Sequence, residues 1–227
     1  MDALLTLEQA GNAIDVAALS LLGLALVSLL VQRLETAIIL LGLQGVLLGV
    51  ASGAAALEEM AWRPWAAFLL AVLVKAVAIP VILWFVLGRV AGRHEVETVI
   101  PLKLAFPVGI GLVLLAYWIA EPFTTGTLGA EGFAAENAVP AALGLLLLGA
   151  FTMATRKKAL TQVIGLVTME NGIYLAAVAA TRGLPLAVEF GIALDVLTGV
   201  ALMALVTHEI NRLIGGINVD RLRALRW

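Results

Sequence analysis

The chain contains no cysteine and only two histidines. Without thiolates it can hold no disulfide, no thiolate-bound iron–sulfur cluster and no cysteine-ligated nickel. His94 and His208 lie at the ends of separate apolar blocks, which makes a poor start for a metal site. Charge is scarce as well. Charged residues make up 13% of the chain, against about 25% in an ordinary soluble domain. A net charge of −2 provides no basic footprint for nucleic acid. No Ser-His-Asp arrangement, phosphate loop or dinucleotide fingerprint occurs in a polar segment. These absences predict a non-catalytic chain with no cofactor of its own.

What is abundant is apolar sequence. Of 227 residues, 62% are apolar, and they are gathered into blocks. A membrane-spanning helix needs about 20 mostly apolar residues. Seven blocks qualify, at roughly 13–33, 36–56, 64–88, 99–120, 138–155, 159–181 and 186–210. The predicted fold class is all-α: a polytopic membrane protein with seven transmembrane helices. The first block follows Met1-Asp2-Ala3, has no basic residue before it and is followed at once by another span. It is therefore expected to be a span rather than a cleaved signal peptide.

The basic residues alternate from side to side. Arg33, then Arg89 and Arg93, then Arg156, Lys157 and Lys158, then Arg212, Arg221, Arg223 and Arg226 fall on one side, ten in all. The opposite loops hold Arg63 and Arg182, while Lys75 and Lys103 lie inside spans. The positive-inside rule then places the N-terminus outside and the C-terminus in the cytoplasm of an inner (cytoplasmic) membrane. Trp62, Trp65 and Trp84 fall near span ends, where amphipathic rings favour the interface. Pro80 and Pro107 each remove a backbone hydrogen bond within a span.

Two stretches resemble one another. The first is VQRLETAIILLGLQG and the second is ATRKKALTQVIGLVT. Arg33 precedes Gly42 by nine residues, and Arg156 precedes Gly165 by nine. The pattern predicts a parallel repeat of three helices: an N-terminal copy over 1–98, a linking helix and outer loop over 99–136, and a C-terminal copy with its tail over 137–227.

An ionisable side chain at the bilayer centre costs roughly 2.5–3.5 kcal/mol on insertion scales. Glu170 and Asp195 sit near the middle of the last two blocks, and Lys75 is at the middle of the third. Gln44 lies one-third into the second block, and Lys103 is shallow enough to reach the surface. Desolvation disfavours the charged form of a carboxyl or an amine, and a nearby opposite charge restores it. Moving an amine toward or away from a carboxyl therefore changes the proton affinity of both. That coupling makes Glu170, Asp195, Lys75, Gln44 and Lys103 the candidate proton path. The competing reading is a static buried pair that fixes helix packing, with Lys75 free to choose either acid. Thr168 and Asn171 stand beside Glu170 as possible hydrogen-bond partners for its carboxyl or for water. Glu35, Glu189 and Glu209 lie at span ends and read as boundary charges.

The C-terminal part carries a basic turn, then IGLVTMENGIYLA, GIALDVLTGVALM and INVDRLRALR. It resembles the K subunit of respiratory complex I and the C subunit of multisubunit sodium/proton antiporters. The phrase TMENGIYLA, together with the extra N-terminal copy, is similar to hydrogenase-4 component E. In the K family, two membrane glutamates carry the proton path. The resemblance puts the second on Asp195 and the first on Val167, a departure from the pattern. Glu170 lies three residues later, about 4.5 Å along the axis, and takes the role. The N-terminal copy has Gln44 at the matching place, which leaves Lys75 as its charge. The resemblance implies a subunit beside antiporter-like membrane subunits and a peripheral hydrogenase or dehydrogenase module, which would hold the metal centres. A cation/proton antiporter subunit and a purely structural scaffold are the alternatives.

Overall fold

The computed structural model describes residues 2–58, 65, 68–69, 72–89, 98–124, 135–181 and 199. Regular structure among them is helical. Helix α1 runs over Asp2–Leu30 and α2 over Leu34–Glu58. A π-helical segment, Val72–Ala78, leads into α3, Ile79–Arg89. Helix α4 covers Leu102–Thr124, α5 Ala138–Thr155 and α6 Ala159–Thr181.

Five of these helices contain apolar stretches long enough to cross a membrane: Gln9–Leu30, Leu34–Ala54, Lys103–Phe123, Ala138–Thr155 and Leu160–Ala179. Val72–Gly88 is a shorter apolar stretch where the third span was expected. Among the described residues the chain thus has the helices of a multi-pass membrane protein, five of them long enough to cross a bilayer. Apart from Gly199, the expected seventh span at 186–210, including Asp195, lies outside the described residues, as do His94, His208 and Glu189.

The helices pack as two hairpins, α1–α2 and α5–α6, brought side by side, with α4 against α5 and α1. Two apolar clusters form the core. One joins Leu21, Leu48, Leu145, Leu148 and Leu175 from α1, α2, α5 and α6. The other joins Ile38, Leu41, Leu83, Ile164 and Val167 from α2, α3 and α6. Along α2 the polar Gln44 falls between Leu41 and Leu48, and along α6 Glu170 falls between Val167 and Leu175. Apolar layers therefore flank the buried polar residues on both sides.

Lipid tails are as apolar as leucine, so helices in a bilayer associate through close packing and polar links. Small residues supply the close packing. Gly45, Gly49 and Gly53 recur every four residues on α2 and face Lys75, Val72 and Phe68 in turn. Gly149 on α5 faces Gly165 and Met169 on α6, and Gly172 faces the Ala142 carbonyl. The other faces of α3 and α4 are apolar and outward, with Val81, Leu114 and Trp118 (71% exposed) among them.

At the basic end Arg156 ties several elements together while only 4% exposed. Its Nη2 donates to the Leu29 carbonyl at 2.8 Å and the Ser28 carbonyl at 3.3 Å. These are among the last carbonyls of α1, which lack α-helical partners, although the Ser28 carbonyl also accepts the Val31 N–H at 3.3 Å. Its own backbone caps α5 through Thr152, and its carbonyl accepts from Gln162 Nε2 at 3.1 Å. The neighbouring Thr155 carbonyl takes the Val99 N–H, where an isolated bridge pairs Thr98 with Arg156. Burial pushes the guanidinium below its ordinary value, yet arginine keeps its charge in proteins. Arg156→Ala is expected to destabilise the protein by about 2–3 kcal/mol, because the buried Leu29 carbonyl loses its charged donor and the link between α1 and α5 goes with it. Thermal unfolding of the purified protein in lipid–detergent micelles would read this, with Arg156→Lys falling between. At the opposite end, Asp15 Oδ1 accepts the Asn137 N–H at 2.8 Å. This places a carboxylate at the N-terminus of α5, where the helix dipole favours it.

Candidate functional site

Helices α2 and α6 and the π-helical segment meet around one ion pair. Pro80 has no N–H to offer the Ala76 carbonyl, so the turn before it cannot close with the regular α pattern. The chain widens over Val72–Ala78 into a π-helix, a form that concentrates at functional sites. Lys75 is at its midpoint, and α2 lies directly against it. A Cβ placed on Gly45 would stand 2.5 Å from the Lys75 carbonyl carbon. Only a glycine lets the two backbones come this close.

Lys75 Nζ meets Glu170 Oε1 at 2.5 Å, with the side chains 1% and 4% exposed. Glu170 is eleven residues from the start of α6 at Ala159, roughly 16 Å along the axis at 1.5 Å per residue. At that depth neither group reaches water by extending toward an interface. The Lys75 ammonium also lies 5.4 Å from the centre of the Tyr174 ring. Glu170 and Tyr174 are four residues apart, so they share a face of α6. The Tyr174 hydroxyl in turn accepts from Ser52 Oγ on α2 at 2.9 Å. Next to the pair, Asn171 Nδ2 donates to Gln44 Oε1 at 3.1 Å, while Asn171 Oδ1 is buried and has no partner among the described residues. The links Gln44–Asn171 and Ser52–Tyr174 advance in the same sense along both chains, so α2 and α6 run parallel.

The structure thus pairs Lys75 with Glu170, a choice the sequence left open. It brings Gln44 alongside through Asn171. Lys103 stands apart: it is exposed, in the first turn of α4, which packs on α5 and α1. Asp195 lies outside the described residues. Thr168 does not serve the carboxyl. Its hydroxyl donates back to the Ile164 carbonyl at 2.8 Å, the i−4 bond that a buried helical threonine can always make. Asn171 is likewise taken by Gln44. Among the described residues no group of three or more histidines or acids could hold a metal.

No protein-family model matches the chain, and no solved structure does. The uncharacterized protein Rv0085 of Mycobacterium tuberculosis is 33% identical over 153 residues, which cover 67% of this chain and 68% of that protein. The chain belongs to the same family as Rv0085. Hydrogenase-4 component E of Escherichia coli K12 is 33% identical over 115 residues, 51% of this chain and 51% of that protein. Its Shigella flexneri counterpart gives the same figures. The chain therefore matches these hydrogenase-4 components over about half of their length.

For this member of the Rv0085 family, residue reading missed three features of the site. The Gly45, Gly49, Gly53 stripe had a signal, since small residues every four positions in an apolar block mark a close helix contact. Tyr174 stood inside the motif TMENGIYLA, but nothing in the spacing said that its ring would meet Lys75. Ser52 is a lone hydroxyl in an apolar helix and gave no signal of its partner. Asp15, away from the site, was also missed, because its role depends on a helix more than a hundred residues away.

Proposed function

We propose that this chain is a non-catalytic membrane subunit of a hydrogenase-related, complex I-like assembly, and that Lys75 and Glu170 handle protons within it. The observation that carries this reading is the ion pair buried at mid-span on a π-helical turn. An ion pair that deep is a poor device for stability, because desolvation offsets most of the attraction. It is a good device for moving charge, since a proton reaching Glu170 weakens its hold on Lys75 and a departing proton restores it. The likeness to hydrogenase-4 component E supports the assembly. Antiporter-like membrane subunits and a peripheral hydrogenase or dehydrogenase module are the partners proposed, and they would hold the metal centres that a cysteine-free chain cannot ligate through thiolates.

Around this pair the reading extends to the other candidates. Gln44, with Asn171, is a polar neighbour that orients without titrating. Lys103 is an exposed cation at the cytoplasmic end, and Asp195 is the second acid, on a seventh span. The N-terminus outside, the C-terminus inside and a parallel repeat of three helices complete the proposal.

The test is Glu170→Gln in the intact assembly, expressed with its neighbouring genes in a bacterial host. Glutamine keeps the shape and a hydrogen-bond acceptor but cannot exchange a proton. Dye-quench assays on inverted membrane vesicles are expected to show at least a tenfold loss of redox-driven proton uptake, on the scale of general acid–base effects of about 10²–10⁴. The subunit itself should remain assembled. Uptake at the wild-type rate with full assembly would rule Glu170 out of the path. Iron–sulfur absorbance in the purified assembly checks the redox partner.

A further inference from the structure

If Glu170 takes up a proton, the Lys75 ammonium loses the counter-charge of the carboxylate at 2.5 Å. Losing a counter-charge next to a buried ammonium is costly. The site offers a second attraction that protonation of Glu170 does not touch. The Tyr174 ring centre is 5.4 Å from Nζ, inside the range of about 6 Å over which a ring face attracts a cation. The ring is fixed rather than adventitious. It is carried on the same helix face as Glu170, and its hydroxyl is tied across to α2 by Ser52 at 2.9 Å.

We propose that the Tyr174 ring is a second seat for the Lys75 ammonium, occupied when Glu170 is protonated. Tyr174 is a positioning residue in this scheme. It exchanges no proton and acts through Lys75. A proton enters the Glu170 carboxylate, the ammonium shifts its weight onto the ring face, and when the proton leaves, the ion pair re-forms. The ring keeps the Lys75 side chain inside the site through the neutral-carboxyl state, which lowers the barrier to each cycle. The role rests on the relay reading above, so its test separates the two.

The experiment draws charge from the ring without changing its shape. Phenylalanine and its mono-, di- and trifluorinated analogues are placed at position 174 of the intact assembly, because each fluorine weakens the negative face of the ring. Two quantities are read: the thermal unfolding midpoint and proton uptake in vesicles. Tyr174→Phe should retain most of the uptake, whereas the trifluoro ring should lower it by about tenfold, in steps, the scale of a desolvated cation–π contact. The midpoint should fall with each fluorine, fall further in a Glu170→Gln background, and not change with fluorine in a Lys75→Met background. A fluorine effect that persists in Lys75→Met overturns the second seat, whatever uptake does. A Lys75-specific midpoint effect that uptake ignores supports the seat and counts against the relay. Loss of uptake in Tyr174→Phe itself overturns the proposal in favour of the hydroxyl.

Discussion

Replacing Lys75 by methionine is expected to cost about 3–5 kcal/mol, and adding Glu170→Leu to that variant is expected to return most of the loss. Breaking a buried ion pair from one side leaves the other charge unpaired in a low-dielectric site, and the cost is of this size. Replacing both partners with apolar groups of similar volume is often neutral or stabilising, because two desolvation costs vanish with the attraction. The surroundings at Lys75 favour that outcome. On the two helices that meet it, Leu41 and Leu48 flank Gln44 along α2 and Val167 and Leu175 flank Glu170 along α6, all four buried and apolar. Denaturant titration of the single and double variants in micelles gives the coupling directly. A loss under 1 kcal/mol in Lys75→Met, or a double variant no better than the single, would contradict the picture of two desolvated charges held by each other. The double variant also divides scaffold from relay. Its fold should be restored while its proton uptake stays absent. A scaffold would recover both.

Much of this arrangement was legible in the residues. The fifth and sixth blocks, read as 138–155 and 159–181, coincide with α5 and α6. The basic turns at Arg33 and Arg156 sit between helices as expected. Composition and block length report what a bilayer requires, and a bilayer leaves few options. Depth was legible too: Gln44, Lys75 and Glu170 were singled out as buried and are. The partner of each was not. Hydrophobic blocks that are apolar all round carry no stripe to say which face meets which helix, so Lys75 had two acids to choose between, and Thr168 looked as available as Asn171. The π-helical turn was also hidden. Pro80 suggested a kink, whereas the helix responds by widening ahead of it, where the glycines of α2 let Lys75 and Val72 come close.

That pressing contact carries the second large effect. Gly45→Ala adds a single methyl group, yet the atoms in its way are backbone: the Lys75 carbonyl carbon at 2.5 Å, and the Ala76 nitrogen and the Lys75 oxygen at 2.6 Å each. No rotamer change relieves a clash with main chain. The π-helical segment must move off α2, and it carries Lys75 with it. The expected cost is about 3 kcal/mol, the upper part of the overpacking range. Proton uptake is expected to fall as far as in Lys75→Met, although no charged group has changed. Gly23→Ala on α1 is the control, because an added Cβ there meets nothing within 4 Å. It should stabilise by about 0.5–1 kcal/mol through the higher helix propensity of alanine. Gly42→Ala lies between, since its nearest obstacle is the Pro80 ring at 3.3 Å, which needs to yield only a few tenths of an ångström. The same order in unfolding midpoints and in uptake, Gly45 worst, Gly42 mild, Gly23 unharmed, would show that the position of Lys75 is set by backbone approach from α2. Full uptake in an assembled Gly45→Ala variant would show instead that the lysine finds Glu170 without that support.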